Sequence, residues 1–376
     1  MGKNLYYRLE EKIFPLNTKR RMFAHTVFRV LRGTLAVFRV YYYLITDHRT
    51  DFKSPPIHKS KQCLGPVRGD MSLRLLDVRL LTCISFLYVE SRLHYLQEVL
   101  SQQPYLAGRT DVRIFTNTAE HHDLANIQQC FPKAQVRSSF SVVSICGLPH
   151  PYFLPWAHKQ VLAKDFVGGR DYTHFMYIED DLLVRPENIT YWLSARQTLR
   201  HYGLIPSFFR VEKKTGDNVW RSTDLLKKLT LSETPMLRVS GGRWYINLNN
   251  PFQAMYLFDR ELALEHLAGP AMNPDFGVWG IREKAAQGQT FVVVPEGFTA
   301  RNVVPFDPDQ LIVDPCCWVH HLPNSYANDP SSMHGKLAVD DLVSYPWLWR
   351  LLARIASRPI LPIKKGEIPF VDKGIH

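Results

Sequence analysis

Short apolar runs alternate with helical segments through the first half of this chain. The apolar runs have the length of strands and predict buried strands at residues 80–89, 111–116, 134–138 and 172–178. The segments between them predict helices at residues 91–102, 119–130 and 152–166. This strand–helix order is typical of an α/β fold with a mainly parallel, doubly wound sheet. Ligands of such sheets bind at the carboxyl ends of the strands.

The second half of the chain has a more mixed pattern. Strands are predicted at residues 252–258 and 291–294, and helices at residues 260–267 and about 280–287. A proline-rich loop then leads into a segment with two adjacent histidines, His320 and His321. This half therefore predicts a continuation of the α/β fold with fewer regular repeats.

Residues 20–45 have the pattern of an amphipathic helix. Phe23 and Val30 belong to an aromatic and aliphatic side, whereas Arg29 and Arg32 belong to a basic side. Such a helix suits the plane of an anionic membrane surface. A helix packed on its own domain with a solvated basic face explains the pattern equally well.

A second amphipathic helix is predicted at residues 345–357. Leu348 and Leu352 lie on its apolar side, and Arg350 and Arg354 line another side at a spacing of four. Here too the alternative is a terminal helix packed against the rest of the protein.

The net charge of +11 is unevenly distributed over the 376 residues. Residues 1–69 hold 14 Lys and Arg against 4 Asp and Glu, and residues 331–376 hold 7 against 4. Residues 70–330 are nearly neutral, with 25 against 27. We therefore predict a basic N-terminal segment and linker (1–69), an α/β domain (70–330) and a basic helical tail (331–376). A neutral middle argues against a nucleic-acid enzyme, and basic flanks favour docking on an anionic membrane.

Cellular location is predicted from the N-terminus and the cysteines. Residues 1–21 lack the apolar core of a secretory signal, and none of the six cysteines forms a Cys-x-x-Cys pair. The expectation is a protein at the cytoplasmic face of a membrane, with reduced thiols and without a zinc site.

Three acids interrupt the apolar run at residues 175–184. Glu179, Asp180 and Asp181 follow the predicted strand directly, and Leu182 resumes the apolar pattern. Unpaired carboxylates are costly to bury, so three together need a cation or several donors beside them. Mg²⁺ and Mn²⁺ take oxygen ligands and bridge readily to phosphates. The pattern therefore predicts a strand end that holds a divalent ion and a nucleotide diphosphate.

This triplet resembles the acidic motif of GT-A glycosyltransferases, which have a Rossmann-like fold. The local similarity is closest to the N-acetylglucosaminyltransferase I family, which also has Glu-Asp-Asp-Leu followed by proline and an aromatic residue, like Pro186 and Tyr191 here. The resemblance implies that Asp181 binds Mn²⁺ or Mg²⁺. It also implies that Glu179 or Asp180 contacts the ribose or a metal-bound water.

Other site residues are expected from the same resemblance and from residue type. A late histidine, His320 or His321, would complete the metal shell. Alternation along a strand would let only one of them face the site, and we favour His321. Asp275 and Glu283 are the candidates for the base that accepts the proton of the acceptor hydroxyl. Phosphate or nucleotide contacts are expected from a wider set: Asn117, Lys159 and Asn324.

These observations predict a metal-dependent glycosyltransferase. It would move a sugar from a nucleotide-diphosphate donor, expected to be a UDP-sugar, to a hydroxyl of a glycan or lipid-linked acceptor, as in the synthesis of surface polysaccharides or glycoconjugates. A sugar nucleotidyltransferase is one alternative, although the glycine-rich loop expected near its first strand is absent. A catalytically inactive carbohydrate-binding or scaffold protein is the other.

Overall fold

The computed structural model describes residues 74–132, 137–169, 171–230, 234–239, 243–307 and 310–344. The amphipathic helices predicted at residues 20–45 and 345–357 and the linker lie outside the described residues, as do residues 345–376 of the basic tail.

The described chain contains helices and strands throughout. The strands are β1 (Arg79–Phe86), β2 (Arg109–Thr116), β3 (Ser138–Ser144), β4 (His174–Glu179), β5 (Leu182–Leu183), β6 (Ile205–Pro206), β7 (Phe209–Lys213), β8 (Trp220–Ser222), β9 (Leu229–Thr230), β10 (Met236–Arg238), β11 (Trp244–Asn247), β12 (Met255–Asp259), β13 (Asn302–Asp307), β14 (Ile312–Val313), β15 (Trp318–His321), β16 (Leu337–Ala338) and β17 (Val343–Ser344). The α-helices are α1 (Leu93–Gln102), α2 (His121–Gln129), α3 (His158–Val161), α4 (Pro186–Leu199), α5 (Arg260–Ala268), α6 (Ile281–Ala285) and α7 (Ser325–Asn328).

A five-stranded sheet with the order β12-β4-β1-β2-β3 forms the centre of the molecule. Strands β1 to β4 are parallel to one another, and β12 pairs antiparallel with β4 at one edge. Seven of the eight residues of β1 are buried, as expected for a central parallel strand covered on both faces. The described chain is thus mixed α/β with a mainly parallel central sheet, in agreement with the predicted class.

Several predicted elements differ from the structure. The third strand begins later than expected, at Ser138. The helix expected at residues 152–166 is a 3₁₀ segment (Pro151–Ala157), then α3, then a π segment (Leu162–Val167). The strand expected at residues 291–294 is wrong, because this apolar run forms turns in which Val293 has a φ of +51°. The next strand is instead β13.

A second sheet positions the site. Its order is β16-β8-β7-β15-β5, and β5 directly follows the acidic triplet. A third sheet, β10-β11-β13-β14 with β6 beside β13, lies in the same half of the sequence. Because β16 pairs with β8 and β17 with β9, paired strands continue past the predicted domain boundary at residue 330.

No helix in the described ranges combines the length and apolarity that a membrane crossing requires.

Candidate active site

The acidic triplet lies at the carboxyl end of β4, in the middle of the central sheet. Glu179 is the last residue of β4, and Asp180 and Asp181 form the turn into β5. Both aspartates are buried, and one oxygen of Glu179 and one of Asp181 are buried without a hydrogen-bond partner. The triplet therefore concentrates carboxylates where ligands of parallel α/β sheets bind.

Strand pairing brings His321 beside these acids. In the antiparallel β5–β15 ladder His321 lies opposite Leu182, and the N–H of Leu322 donates to the carbonyl of Asp181 at 2.9 Å. The Nε2 atom of His321 is 3.4 Å from Oδ2 of Asp181. His320 belongs to the other face of β15, where its ring packs edge-on against Trp220 with centroids 5.1 Å apart. Alternation along the strand thus directs one histidine, His321, to the acids.

A buried glutamate holds the ring of His321 from behind. Glu212 of β7 is fully buried, and its Oε1 is 2.5 Å from Nδ1 of His321. Its Oε2 accepts a hydrogen bond of 2.6 Å from the backbone N–H of Ala327. A carboxylate on Nδ1 fixes the ring orientation and leaves Nε2 to face Asp181.

Arg92 bridges the two aspartates from the opposite side. Its Nε and Nη2 donate to Asp180 at 3.0 Å each, and Nη2 also donates to Oδ2 of Asp181 at 2.8 Å. Arg92 follows the carboxyl end of β1, the neighbour of β4, so the sheet order places it here. A planar guanidinium suits this two-point contact with carboxylates.

Burial and neighbouring charges shift the pKa values of Asp180, Asp181 and His321 away from their ordinary values. Burial and the charge of Asp181 raise the pKa of Asp180 to about 8, although Arg92 opposes them. Burial alone would raise the pKa of Asp181, but the hydrogen bond from His321 and the charge of Arg92 hold it below its ordinary value. Burial opposes protonation of His321, yet its contacts with Asp181 and Glu212 raise its pKa to about 9. In the protein without a ligand, the positive charges of His321 and Arg92 therefore offset the negative charge of Asp181.

Two further arginines contribute positive charge to the same region. Arg210 of β7 is buried and makes two hydrogen bonds to Asp224, at 2.9 and 2.6 Å. Arg282 of α6 lies 3.3 Å from Glu283, and the charge of Glu179 raises the pKa of Arg282. Burial of Glu179 raises its pKa, and Arg282 opposes that rise. Arginines and acids therefore lie next to one another around the acidic triplet.

The three acids, His321, Arg92, Arg210 and Arg282 line one cleft of about 630 Å³. Its walls also carry five aromatic side chains: Tyr95, Tyr152, Phe252, Trp279 and Tyr326. The ring of Tyr326 stacks on that of His321 with centroids 5.5 Å apart. The volume suits a small-molecule ligand of nucleotide-sugar size.

The structure brings about half of the sequence-predicted site residues into this cleft. Those that line it are Glu179, Asp180, Asp181, Glu283 and His321. Glu283 lies in the first turn of α6, and its side chain is about one-third exposed. The remaining predicted residues lie elsewhere, and each has an identifiable structural position.

Lys159 is the clearest correction. Its Nζ lies in the core, 2.7 Å from Nε2 of His266 and 3.3 Å from the hydroxyl of Tyr256. Burial lowers its pKa well below the ordinary value. This position removes Lys159 from the set of phosphate ligands.

Four other predicted residues do not line the cleft. Asn324 accepts a hydrogen bond from the N–H of Lys213 at 2.7 Å and pairs with Nε2 of His320 at 2.9 Å, so its amide shapes the loop after β15. Asn117 accepts a hydrogen bond of 2.8 Å from the N–H of Tyr88, which fixes the loop after β1. Asp275 lies exposed in the loop before α6. The structure therefore gives no support for a direct ligand contact by Asn324, His320, Asn117 or Asp275.

Sequence reasoning missed Arg210, Glu212 and Arg282. Arg210 and Glu212 are two residues apart on β7 and therefore share the face that carries His321 on β15. The alternation of charged and apolar residues at 209–213 is a signal that could have found them. Arg282 precedes Glu283, which was predicted. Sequence reasoning also did not identify Arg92 as the partner of the two aspartates.

The residues present fit a divalent ion that arrives with a diphosphate. Within the described residues, no three His, Cys, Asp or Glu side chains converge as a ready-made metal cage. The unpartnered Oδ1 of Asp181 is available to a cation, and Nε2 of His321, 3.4 Å from Oδ2 of Asp181, becomes a second ligand when it loses its proton. Mg²⁺ is commonly held by one or two protein ligands together with substrate phosphates and water. The donor set therefore suits such an ion and not a structural one.

Comparison with known proteins gives little further information. No family model matches the chain, and no curated protein matches it. One of the matching solved structures is described as the crystal structure of S. aureus TarS 1-349, at 9% identity and a TM-score of 0.30, with 56% of each chain covered. A structural similarity this weak does not identify a function, so the functional conclusion is based on the residues of the site.

Proposed function

We propose that this protein is a glycosyltransferase that moves a sugar from a nucleotide-diphosphate donor to a hydroxyl of an acceptor. The observation that carries the proposal is the position of Glu179, Asp180 and Asp181. They end a central parallel strand, beside His321, in a cleft that also holds three arginines. Carboxylates and arginines in one cleft can hold a cation and a diphosphate together.

Asp181 and His321 would hold Mn²⁺ or Mg²⁺, which would neutralise the negative charge that develops on the departing diphosphate. Arg92, Arg210 and Arg282 add positive charge around the same position. Such fixed charges stabilise a leaving group most effectively in a cleft that excludes water.

Glu283 is the proposed general base. The acceptor oxygen attacks C1 of the donor sugar, the bond from C1 to the diphosphate oxygen breaks, and the hydroxyl proton passes to Glu283. Glu283 lies 3.3 Å from Arg282, whereas Asp180, Asp181 and Asp224 are buried and accept shorter hydrogen bonds from arginines. Glu283 is more exposed than these three and is reachable by an acceptor from solvent.

The test is nucleotide release from UDP-, GDP-, dTDP- and CMP-sugars, with and without Mn²⁺. We expect metal-stimulated release from one diphosphate donor, and CMP-sugars, which have a single phosphate, serve as an internal control. Asp181→Asn should reduce release by about 100-fold or more. Asp340→Asn, a change at an exposed acid outside the cleft, should have no effect.

Two outcomes would contradict the proposal. Formation of pyrophosphate from a nucleoside triphosphate and a sugar 1-phosphate would identify a nucleotidyltransferase. Absence of donor binding in the presence of Mn²⁺ would favour a carbohydrate-binding protein without catalytic activity.

We also propose that the basic flanks hold the enzyme on an anionic membrane surface, as their charge and amphipathic pattern suggest. In the 376-residue chain, replacing Arg29, Arg32 and Arg39 of the basic segment 20–45 together by Gln should weaken sedimentation with phosphatidylserine vesicles. Unchanged sedimentation would contradict this. Vesicles of phosphatidylcholine alone provide the control for charge.

A further inference from the structure

The sheet order divides the cleft into two sides. The acids end β4, which lies between β1 and β12. Arg92 follows β1 and marks one side, where the parallel strands β1, β2 and β3 end. Phe252 immediately precedes β12, whose first residue pairs with Ile178 near the end of β4, and therefore marks the opposite side.

Phe252 and Trp279 gather on the β12 side, and Tyr152 lines the same cleft on a 3₁₀ segment that contacts α6 as well as β1 and β2. We call these three side chains the aromatic wall. Trp279 makes edge contacts with Phe252 and Phe291, each with ring centroids 5.0 Å apart. Tyr152 is 49% exposed. Within the aromatic wall, the ring of Trp279 is thus packed between neighbouring rings, whereas the ring of Tyr152 is open to the cleft.

The backbone that carries the aromatic wall is fixed. Nε1 of Trp156 donates a hydrogen bond of 2.9 Å to the carbonyl of Ile281, which joins the 3₁₀ segment Pro151–Ala157 to the start of α6. Tyr152 lies on the first of these elements, and Trp279 lies two residues before the second. A site held in this way is largely formed before its ligand binds.

Polar groups for a hydroxylated ligand lie beside the aromatic wall. Arg282 and Glu283 follow Trp279 by three and four residues and line the same cleft. A pyranose ring presents an apolar C–H face, which packs on aromatic rings, and hydroxyl groups, which need donors and acceptors at its edge. An alkyl chain would remove water from Arg282 and Glu283 and would offer them no hydrogen bonds in exchange.

We propose that the aromatic wall is the acceptor subsite and that it takes a pyranose ring of a glycan. This inference rests on the proposed glycosyl transfer, because it assigns the β1 side to the nucleotide and the β12 side to the acceptor. The ring stacks on Tyr152 and Trp279, and its reacting hydroxyl meets Glu283.

The direct test is saturation-transfer NMR with methyl glycopyranosides of glucose, galactose and N-acetylglucosamine, in the absence of any donor. We expect at least one glycoside to receive saturation from the protein and Tyr152→Ala to weaken its binding by about five- to tenfold. Trp279→Leu should act in the same direction. Tyr105→Ala, a control at an exposed tyrosine outside the cleft, should leave binding unchanged.

Nucleotide affinity distinguishes this subsite from a nucleobase site. UDP binding with Mn²⁺ should change less than about twofold in Tyr152→Ala, because the base is assigned to the other side. Loss of UDP binding in this variant would overturn the inference, as would glycoside binding that Tyr152→Ala leaves intact. Failure of the wild-type protein to bind any glycoside would also overturn it.

The NMR readout is independent of the transfer reaction. A wild-type protein that binds a glycoside through the aromatic wall but releases no nucleotide from any donor would refute the proposed function and leave the sugar subsite supported. Nucleotide release without glycoside binding would give the reverse result. The two failures are therefore distinguishable.

Discussion

The carboxylate of Glu212 lies 2.5 Å from Nδ1 of His321, and this contact turns the opposite ring nitrogen toward Asp181. The two residues are 109 positions apart in sequence and meet because β7 and β15 are parallel neighbours. Glu212 also accepts a hydrogen bond from the N–H of Ala327 in α7, the short helix after β15. It therefore joins the position of the histidine to the position of that helix.

Replacing Glu212 by Gln tests this relationship. The amide keeps the shape of the side chain but carries no charge, so the orientation and basicity of His321 should change. We expect turnover, or the apparent affinity for Mn²⁺, to fall by about 10- to 100-fold. Nucleotide release as a function of Mn²⁺ concentration measures both quantities. The exposed Glu296→Gln provides the control, and equal behaviour of the two variants would contradict a positioning role for Glu212.

Arg92 is expected to be irreplaceable by lysine. It contacts Asp180 through two nitrogens and Asp181 through one, and an ammonium group cannot reproduce this planar geometry. Arg92→Lys should therefore leave one aspartate without a donor and lower the free energy of unfolding by about 1–3 kcal/mol. Urea unfolding followed by circular dichroism measures this change, and Arg79→Lys, at the exposed start of β1, serves as the matched control. A stability equal to that of the control variant would show that the bridge contributes nothing.

The central strands were predictable because their physical signal is local. Strands β1, β2 and β4 are buried over most of their length, so they read as continuous apolar runs with Glu179 at the end of the last one. Alternation also predicted that only one of His320 and His321 faces the site, and in the structure the one beside Asp181 is His321. Whether His321 binds a metal stays a prediction.

The partners of the acids were not predictable in the same way. Arg92 and Glu212 reach the site through pairings between distant strands, which leave no local pattern in the sequence. Lys159 was expected to contact a phosphate because of its residue type, but tertiary packing places its amine beside His266 in the core. The apolar run at residues 291–294 predicted a strand, but these residues form turns in which Phe291 packs against Trp279.

The loop that carries Trp279 requires glycine at position 277. Gly277 has a φ of +102°, and a Cβ there would lie 1.8 Å from Oε1 of the buried Gln287. Gly277→Ala should cost about 2 kcal/mol or more of stability and weaken glycoside binding. Gly216→Ala is a matched control, since Gly216 has a φ of +85° with nothing near its Cβ position. Thermal unfolding of both variants separates backbone strain from the contact, and equal losses would contradict a role for Gln287.

The last prediction concerns acid stability and His174 at the start of β4. Burial lowers the pKa of His174 to about 4. The negative charge of Asp259 opposes this change, and the positive charge of Arg196 adds to it. The unfolded chain titrates near the ordinary value of about 6.5, so between these two pH values it binds a proton that the folded protein does not. Stability from this group is therefore present above pH 6.5 and falls as the pH decreases toward 4, by about 3 kcal/mol in total.

Replacing His174 by Gln should remove this part of the pH dependence. The variant is expected to lose less unfolding free energy than the wild type between pH 7 and about 4.5, whatever its stability at pH 7. Urea titrations at a series of pH values measure the slope directly. The exposed His201→Gln should keep the slope of the wild type. A His174→Gln slope equal to that of the wild type would mean that other buried groups, such as His158 and His266, dominate the acid response, since burial lowers the pKa of each.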